Sequence, residues 1–521
     1  MMKKREVAKK AKKGVLSIVF SRTALIVVLL LLQLAVMFLV PYWLRSSATL
    51  AYGIMTVLQV IVVINIINEK SSTEFTLTWI LLVLIFPVFG ALFYLYVRME
   101  VGHRFLRRRL GETMEATWPY MRQPKYVMDA LRVSKPANAN LAEYMNRQTH
   151  TPIYRNTKAE YYSCGEKMFP AMIEELGKAE KFIFMEYFIV DEGRMWGTIL
   201  EILKEKAAQG VEVCFMYDGM NSISRLPYNY PKELQRYGIR CKVVSQIHPV
   251  LSTTQNNRDH RKICVVDGRV GFTGGINLAD EYINEKERFG YWKDTGVMIE
   301  GDAVQSLTMM FLQMWNTTET RPEAFENYLT KMSGELHREL GFTLPYADSP
   351  YDDENVGEEV YCHILNHAKK YVHIMTPYLI LDREMMDALC RAAKSGIDVK
   401  IIMPHIPDKW YAFALAKTYY EELITAGVKI YEFTPGFVHA KVFSSDDDTA
   451  TVGTINLDFR SLYLHFECGI FFYNNMVVRD VELDFQETLK ECQQITMAEV
   501  DKISLPMMLC GRVLRLIAPL M

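Results

Sequence analysis

At 521 residues the chain is too long for one ordinary hydrophobic core and implies two domains or two lobes outside any membrane part. A formal net charge of −2 and a pI near 6.6 exclude an overall attraction to nucleic acid or to an anionic surface, so any basic feature must be local. Nine cysteines without a C-x-x-C pair suit reduced, mostly buried thiols in a reducing compartment rather than a disulfide framework.

Residues 1–22 form a basic tail carrying Lys3, Lys4, Arg5, Lys9, Lys10, Lys12 and Lys13. A transmembrane region is expected over 23–98. Its first segment, Thr23 to Leu44, is free of charge and as a helix reaches roughly 33 Å, enough to cross a bilayer. That run is too long for a cleaved signal peptide and lacks a small-residue cleavage site. Ser46 to Asn68 and Phe75 to Val97 are further uncharged candidates, the last closing on Phe93, Tyr94 and Tyr96 as interfacial aromatics do. The basic tail and the cluster Arg98, Arg104, Arg107, Arg108 and Arg109 both call for the cytoplasmic side, which three spans cannot satisfy. Two or three helices are expected, in a multi-pass protein of the cell membrane whose catalytic lobes face the cytoplasm.

An amphipathic linker over 99–149 leads into a pattern that occurs twice, in lobes over 150–330 and 331–500. In the first, Lys181 to Val190 reads as a buried strand, Trp196, Ile199, Leu200 and Leu203 mark one helix face, and Gly210 to Asp218 is a second strand. In the second, Lys370 to Ile380, the face Met386, Leu389, Cys390 and Ala393, and Gly396 to Pro404 repeat that order. Each copy adds a helix stopped by glycine, Gly238 or Gly427, and a further strand. Crossover helices between strands predict an α/β fold of two similar lobes, with mixed, mainly parallel sheets flanked by helices. A turn-rich boundary falls near 325–350. At the end, residues 501–521 predict an amphipathic helix with Arg512 and Arg515 on one side, to lie on a membrane surface or to close the core.

Two stretches at matching points in the lobes carry the chemistry. "HRKICVVDGRVGFTGGIN" places His260, Lys262, Asp267, Gly274 and Asn277, and "HAKVFSSDDDTATVGTIN" places His439, Lys441, Asp446, Gly453 and Asn456, at identical spacing. A lone histidine before a strand is usually structural. Nothing about core packing requires five polar or small residues to recur in register inside a duplicated fold. Residues two apart on a strand share a face, so each strand delivers a base and a cation to one spot. Lobes packed face to face would bring two such pairs into one cleft suited to a phosphate.

A phosphodiester resists attack until its oxygens are neutralised, which Lys262 and Lys441 can do with Asn277 and Asn456 as donors and with no metal. One neutral imidazole can attack phosphorus while the other, protonated, releases the leaving alcohol. Asp294 and Glu467 are the candidate carboxylates that orient the rings. Asp267 and Asp446 complete the catalytic set of His260, Lys262, Asp267, His439, Lys441 and Asp446, with the role of holding the turn after each catalytic strand. His363 and His367 stand one helical turn apart without a complementary ligand pair and read as a helix face. The run Asp446 to Asp448 reads as a solvated turn rather than a calcium loop.

These residues resemble the phospholipase D superfamily, whose H-x-K-x-x-x-x-D motif occurs twice per active unit. "FTGGINLADEY" from Phe272, "YWKDTGV" from Tyr291, "TPYLILD" from Thr376 and "VGTINLDFRSLYLHFE" from Val452 are similar to the bacterial cardiolipin synthase family over nearly the whole chain. The resemblance implies transfer of a phosphatidyl group between two phosphatidylglycerol molecules, giving cardiolipin and glycerol through a phosphohistidine, with no cofactor. It makes His260 the nucleophile and His439 the general acid and base, although the symmetry of the sequence admits either histidine. Phosphatidylglycerol and membrane lipids are the implied partners, nucleic acid is not, and the oligomeric state stays open. One departure is visible: the serine that many relatives carry after the motif's glycine is here Gly275 and Thr454. A membrane phospholipase using water is the alternative. A nuclease is disfavoured by the hydrophobic front and the lack of basic surplus, and a non-catalytic scaffold by retention of the motif residues.

Overall fold

The computed structural model describes residues 48–70, 72–98, 101–221, 225–245, 256–319, 321–329, 341–352 and 354–520. The chain divides into two compact units, one holding residues up to Phe105, the other running mainly from Leu106 to Arg515.

In the first unit the helices Ala48–Ile67, Thr73–Ile85 and Pro87–Arg98 pack around Val62, Ile66, Val83, Ala91 and Tyr94. Gln59 donates to the Val83 carbonyl at 2.9 Å, and Arg98 pairs with Glu69 at 3.0 Å. The expected spans Thr23–Leu44 and the basic tail lie outside the described residues. Among the described residues no helix is long and apolar enough to cross a membrane. The candidate span Phe75–Val97 divides at Pro87. Proline has no N–H to continue the ladder and pushes the residue before it out of the helical region. Phe86 accordingly sits at φ −125°, ψ 75°.

The second unit is built on two sheets. The first contains β1 (Thr157–Tyr162), β2 (Phe182–Tyr187), β3 (Glu212–Asp218), β4 (Arg240–Val244), β5 (Lys262–Val266), β6 (Val270–Gly274) and β8 (Gly296–Gly301), in the order β1-β8-β6-β5-β2-β3-β4. The second contains β9 (Phe342–Asp348), β10 (Tyr371–Met375), β11 (Asp398–Pro404), β12 (Lys429–Phe433), β14 (Val442–Ser445), β15 (Thr449–Gly453), β16 (Glu467–Tyr473) and β17 (Cys492–Ile495), in the order β17-β12-β11-β10-β14-β15-β16-β9. Read from the β9 end, the second sheet repeats the first strand for strand and adds β17 at the far edge. A third, two-stranded sheet joins β7 (Tyr291–Lys293) to β13 (Gly436–Val438).

The fold is α/β with mixed sheets, but they are not mainly parallel. Only β2-β3-β4 and β10-β11-β12 run parallel, and the remaining pairs in both sheets are antiparallel. The crossover helices account for the parallel triplets. After each motif strand only a short turn is available, Asp267 to Arg269 between β5 and β6, and so few residues can join strands only as a hairpin.

The predicted helix faces are buried except at Leu200 and Ala393, which are half-buried. Met195, Trp196, Ile199 and Leu203 of Arg194–Ala208 face the first sheet's core, where Trp196 stacks on Phe215 at 4.7 Å. Met385, Met386, Leu389 and Cys390 are buried on Arg383–Lys394, which packs against β11 of the second sheet. Full burial of an aliphatic side chain such as Ile199 or Leu203 stabilises the fold by roughly 1.5–3 kcal/mol. Apolar residues of both sheets, among them Phe184, Val265, Val442 and Phe472, meet in one further core around the helix Val304–Asn316. The C-terminal helix Leu505–Arg515 packs one face on the helix Trp410–Ala426, with Gly511 against the Ala414 carbonyl and Arg515 over the Tyr419 ring at 4.2 Å. Leu505, Leu509 and Val513 remain on its exposed side.

Candidate active site

Each motif histidine is carried not by a strand of its own sheet but by a crossing to the other. His260 precedes β5 by two residues. Its N–H donates to the Phe466 carbonyl at 2.9 Å, and Phe466 N–H donates back to Arg258 at 2.8 Å, beside a parallel bridge between Asp259 and Phe466. His439 follows β13, and its N–H donates to the Lys293 carbonyl at 2.6 Å, continuing the parallel pairing of β13 with β7. In both cases the acceptor is the residue immediately before a carboxylate, Glu467 or Asp294. Backbone pairing therefore delivers each imidazole to the acid of the opposite sheet.

The side chains complete that crossed arrangement. His260 Nδ1 lies 2.9 and 3.0 Å from the Glu467 oxygens, and His439 Nδ1 lies 2.6 Å from Asp294 Oδ2. Asp294 and Glu467 are fully buried, and His260 and His439 keep only 6% and 8% exposure, so all four belong to a buried charge cluster. Lys262 and Lys441 each donate to the carbonyl of their own motif histidine, and Lys441 Nζ also lies 2.8 Å from His439 Nδ1.

Burial governs the protonation of this cluster. It pushes His260 well below the usual histidine range, opposed by Glu467, with Lys262 adding to the depression. Burial and then the Lys441 charge hold His439 down at about 4, against the pull of Asp294. Desolvation lowers Lys262 to about 8 and Lys441 to about 7. Burial acts to raise the Glu467 carboxyl, but His260 and Lys262 outweigh it and hold it far below the usual carboxylate range. The resting state thus has neutral imidazoles whose Nδ1–H faces a carboxylate, which leaves the Nε2 lone pair free. Such a site can accept an anionic phosphodiester, attack it with one ring and exchange protons with the other.

Asn277 donates through Nδ2 to Tyr282 Oη at 2.8 Å and accepts from Ile189 N–H at 2.9 Å; Asn456 donates in the same way to Ser461 Oγ at 3.0 Å. Each amide keeps a second N–H. Asp267 and Asp446 stand away from the cluster, at left-handed φ of 54° and 56°. The first accepts backbone N–H groups of Glu180, Lys181 and Phe182, the second those of Lys369, Lys370 and Tyr371. They clamp the turn to the start of β2 and β10.

The two halves differ at the position after the motif glycine, and the difference follows from the carboxylates. A Cβ at Gly275 would meet Asp294 Oδ1 at 2.0 Å, so glycine makes room for the acid. Thr454 instead donates its hydroxyl to Glu467 and accepts from Cys468 N–H at 3.0 Å, bracing the longer side chain.

His465 went unnoticed in sequence because it lies outside the repeated motif. It is buried, with its ring 5.5 Å from that of His260 and Nδ1 3.6 Å from Glu467 Oε1. Aromatic rings flank both motif histidines, Phe188 at 4.8 Å from His260 and Trp292 and Tyr282 at 5.4 and 5.5 Å from His439. His363 and His367 stay on the helix Val356–His367, with His363 Nε2 2.9 Å from Asn138 Oδ1. Asp447 lies in the β14–β15 turn, and Asp448 pairs with Lys135 at 2.8 Å.

Residues 172–315 and 361–489 match the family model "Cardiolipin synthase, PLD-like domain", and residues 57–98 match "Phospholipase D-nuclease N-terminal". An uncharacterized protein of Streptococcus mutans serotype c (strain ATCC 700610 / UA159) is 52% identical over 88% of this chain and 99% of its own length. A cardiolipin synthase of Geobacillus sp. (strain WCH70) is 34% identical over 88% of this chain and 91% of its own. In fold, the chain is similar to the crystal structure of a phosphatidylserine synthase of Haemophilus influenzae Rd KW20, with TM-score 0.56, 15% identity, and coverage of 74% of this chain and 98% of that one. On these matches the chain belongs to the cardiolipin synthase family of phospholipase D-like phosphatidyltransferases.

Proposed function

We propose that this chain condenses two phosphatidylglycerol molecules into cardiolipin and free glycerol at the cell membrane, through a phosphatidyl-histidine intermediate. The observation that carries the reading is the pair of crossed histidine–carboxylate contacts, His260 with Glu467 and His439 with Asp294. Two imidazoles held in equivalent settings by a duplicated fold suit a displacement that occurs twice at one phosphorus.

In the first displacement, the Nε2 lone pair of His260 attacks phosphorus. His439, neutral at rest, takes up a proton as the anionic headgroup enters beside it, and the bond to the glycerol oxygen breaks as it gives that oxygen the proton. The phosphatidyl-imidazole is cationic, and Glu467 on its Nδ1–H stabilises it. In the second, neutral His439 takes the proton of an incoming phosphatidylglycerol hydroxyl, whose oxygen displaces His260. Lys262 and Lys441, with the free amide N–H groups of Asn277 and Asn456, neutralise the non-bridging oxygens. Asp267 and Asp446 hold the turns that place each motif strand. Confinement to a bilayer raises the effective concentration of lipid hydroxyls and so favours transfer over hydrolysis.

The test is the product of the purified full chain in phosphatidylglycerol vesicles without added metal. Glycerol released in step with a four-chain lipid supports the reading. Phosphatidic acid as sole product would make the protein a phospholipase instead.

A further inference from the structure

His465 poses a problem of polar satisfaction. The residue is only 8% exposed, and neither ring nitrogen has a hydrogen-bond partner; a buried imidazole left in that state calls for an explanation. It faces the carboxylate that also receives His260. Among the described residues, His260, His465 and Glu467 are the only set of three metal-capable side chains whose ligand atoms converge, all within 4.8 Å of one another.

We propose that His260, His465 and Glu467 form an inhibitory site for a divalent transition-metal ion of the zinc class. The ligand set is the first support, since two imidazoles and one carboxylate suit zinc and its neighbours rather than magnesium or calcium, which prefer oxygen alone. Spacing is the second. Ligands about 2.0–2.2 Å from a tetrahedral ion stand about 3.3–3.5 Å apart; Glu467 Oε1 lies 2.9 Å from His260 Nδ1 and 3.6 Å from His465 Nδ1, and the three ligand atoms lie within 4.8 Å of one another, so the two imidazoles need only a small side-chain adjustment to close on one ion. The third is the shell behind the ligands, because the Thr454 hydroxyl holds the other Glu467 oxygen and would keep the carboxylate oriented. Lys262 belongs to the same charge cluster and opposes added positive charge, so the ion is expected to bind reversibly.

The consequence for the reaction follows from the tautomer and rests on the reading of His260 as nucleophile. An ion on Nδ1 takes the lone pair that appears when the Nδ1 proton leaves. In the neutral ring that proton moves to Nε2, with none gained or lost overall. Nε2 then carries hydrogen instead of a lone pair and cannot bond to phosphorus. Zinc would stop the first displacement without touching His439.

Zinc alone, added to the full chain in vesicles, provides the test. Equilibrium dialysis should find one zinc ion per chain whose affinity falls about tenfold or more in both His465→Asn and His465→Gln. Turnover with zinc, divided by turnover without it in the same variant, should rise toward one in both. Cobalt in place of zinc should give a spectrum free of thiolate charge transfer. Zinc binding unchanged in both variants, a thiolate band, or bound zinc that leaves turnover intact would each overturn the proposal. Metal-free turnover reports on the reaction separately, so failure of the site and failure of the proposed function are distinguishable.

Discussion

His260 Nδ1 meets both carboxylate oxygens of Glu467, 207 residues downstream and on the other sheet. The reciprocal pair, His439 with Asp294, spans 145 residues in the opposite sense. Neither half of the duplicated unit can therefore orient its own histidine, and each supplies the acid for its counterpart.

The crossed pairs make separable demands on the two steps of the reaction. Glu467→Gln is expected to slow attack by His260, whatever the leaving group. Asp294→Asn is expected to slow protonation by His439, a loss that a nitrophenol headgroup, which leaves unprotonated, should largely remove from the first-turnover burst of nitrophenolate, while the later turnovers, which need His439 as base, stay slow. With phosphatidylglycerol each variant should lose about 10²- to 10⁴-fold in kcat. Rescue of Glu467→Gln rather than Asp294→Asn would reverse the assignment of nucleophile and acid.

His260→Ala and His439→Ala should each reduce glycerol release by at least about 10³-fold while the unfolding midpoint stays near that of the parent. Mass spectrometry after a rapid quench should find the phosphatidyl adduct on the peptide containing residue 260. Full turnover in either variant would refute the paired-imidazole mechanism.

Lys441 should impose an alkaline limb on kcat/KM. Its ammonium, lowered by desolvation to about 7, faces Asp294, Lys262, Glu467 and Asp458. The charged form exists below that value, so attraction for an anionic headgroup is lost as pH rises through it; the corresponding limb on kcat lies at higher pH, because bound substrate holds the ammonium charged. KM should grow on the alkaline side more than kcat falls. Lys441→Arg, which stays charged, should flatten the limb, and a profile unchanged by that substitution would count against the lysine as its source.

Gly275 and Thr454 should respond oppositely to serine. Gly275→Ser places a Cβ against Asp294 Oδ1, and the crowding should cost about 1–3 kcal/mol of stability along with most turnover. Thr454→Ser keeps the hydroxyl on Glu467 and should cost little, whereas Thr454→Val should reduce turnover. Calorimetry and glycerol release on the three proteins check the pattern.

Asp267→Ala and Asp446→Ala remove a carboxylate that satisfies three backbone N–H groups, which should destabilise by about 1–3 kcal/mol each. Turnover of the remaining folded protein should stay near normal at low temperature. Loss of kcat without loss of stability would place these aspartates in the chemistry rather than in the turn.

Much was legible along the chain because it depends on local order. The βαβ units, the buried faces on Arg194–Ala208 and Arg383–Lys394, and the histidine, lysine and asparagine at repeated offsets arise from periodicity and spacing, which sequence carries directly. The antiparallel share of each sheet was partly written there too, in the Asp267-Gly268 turn, but crossover helices dominated the reading. The break at Pro87 within an apolar run shows the converse, a local signal that outweighs hydrophobic length.

Three matters belonged to tertiary structure alone. Which carboxylate serves which histidine was undecidable from sequence, because Asp294 and Glu467 occupy equivalent points downstream of their motifs and either pairing satisfies the pattern. The parallel contacts of β7 with β13 and of Asp259 with Phe466 decide it by crossing from one sheet to the other. Gly275 looked like a missing hydroxyl until Asp294 was seen filling its space, and His465 gained meaning only beside Glu467. Sequence determines what each segment carries; the approach of side chains 145 and 207 residues apart depends on how two sheets that share one core pair their backbones, and no local pattern encodes that.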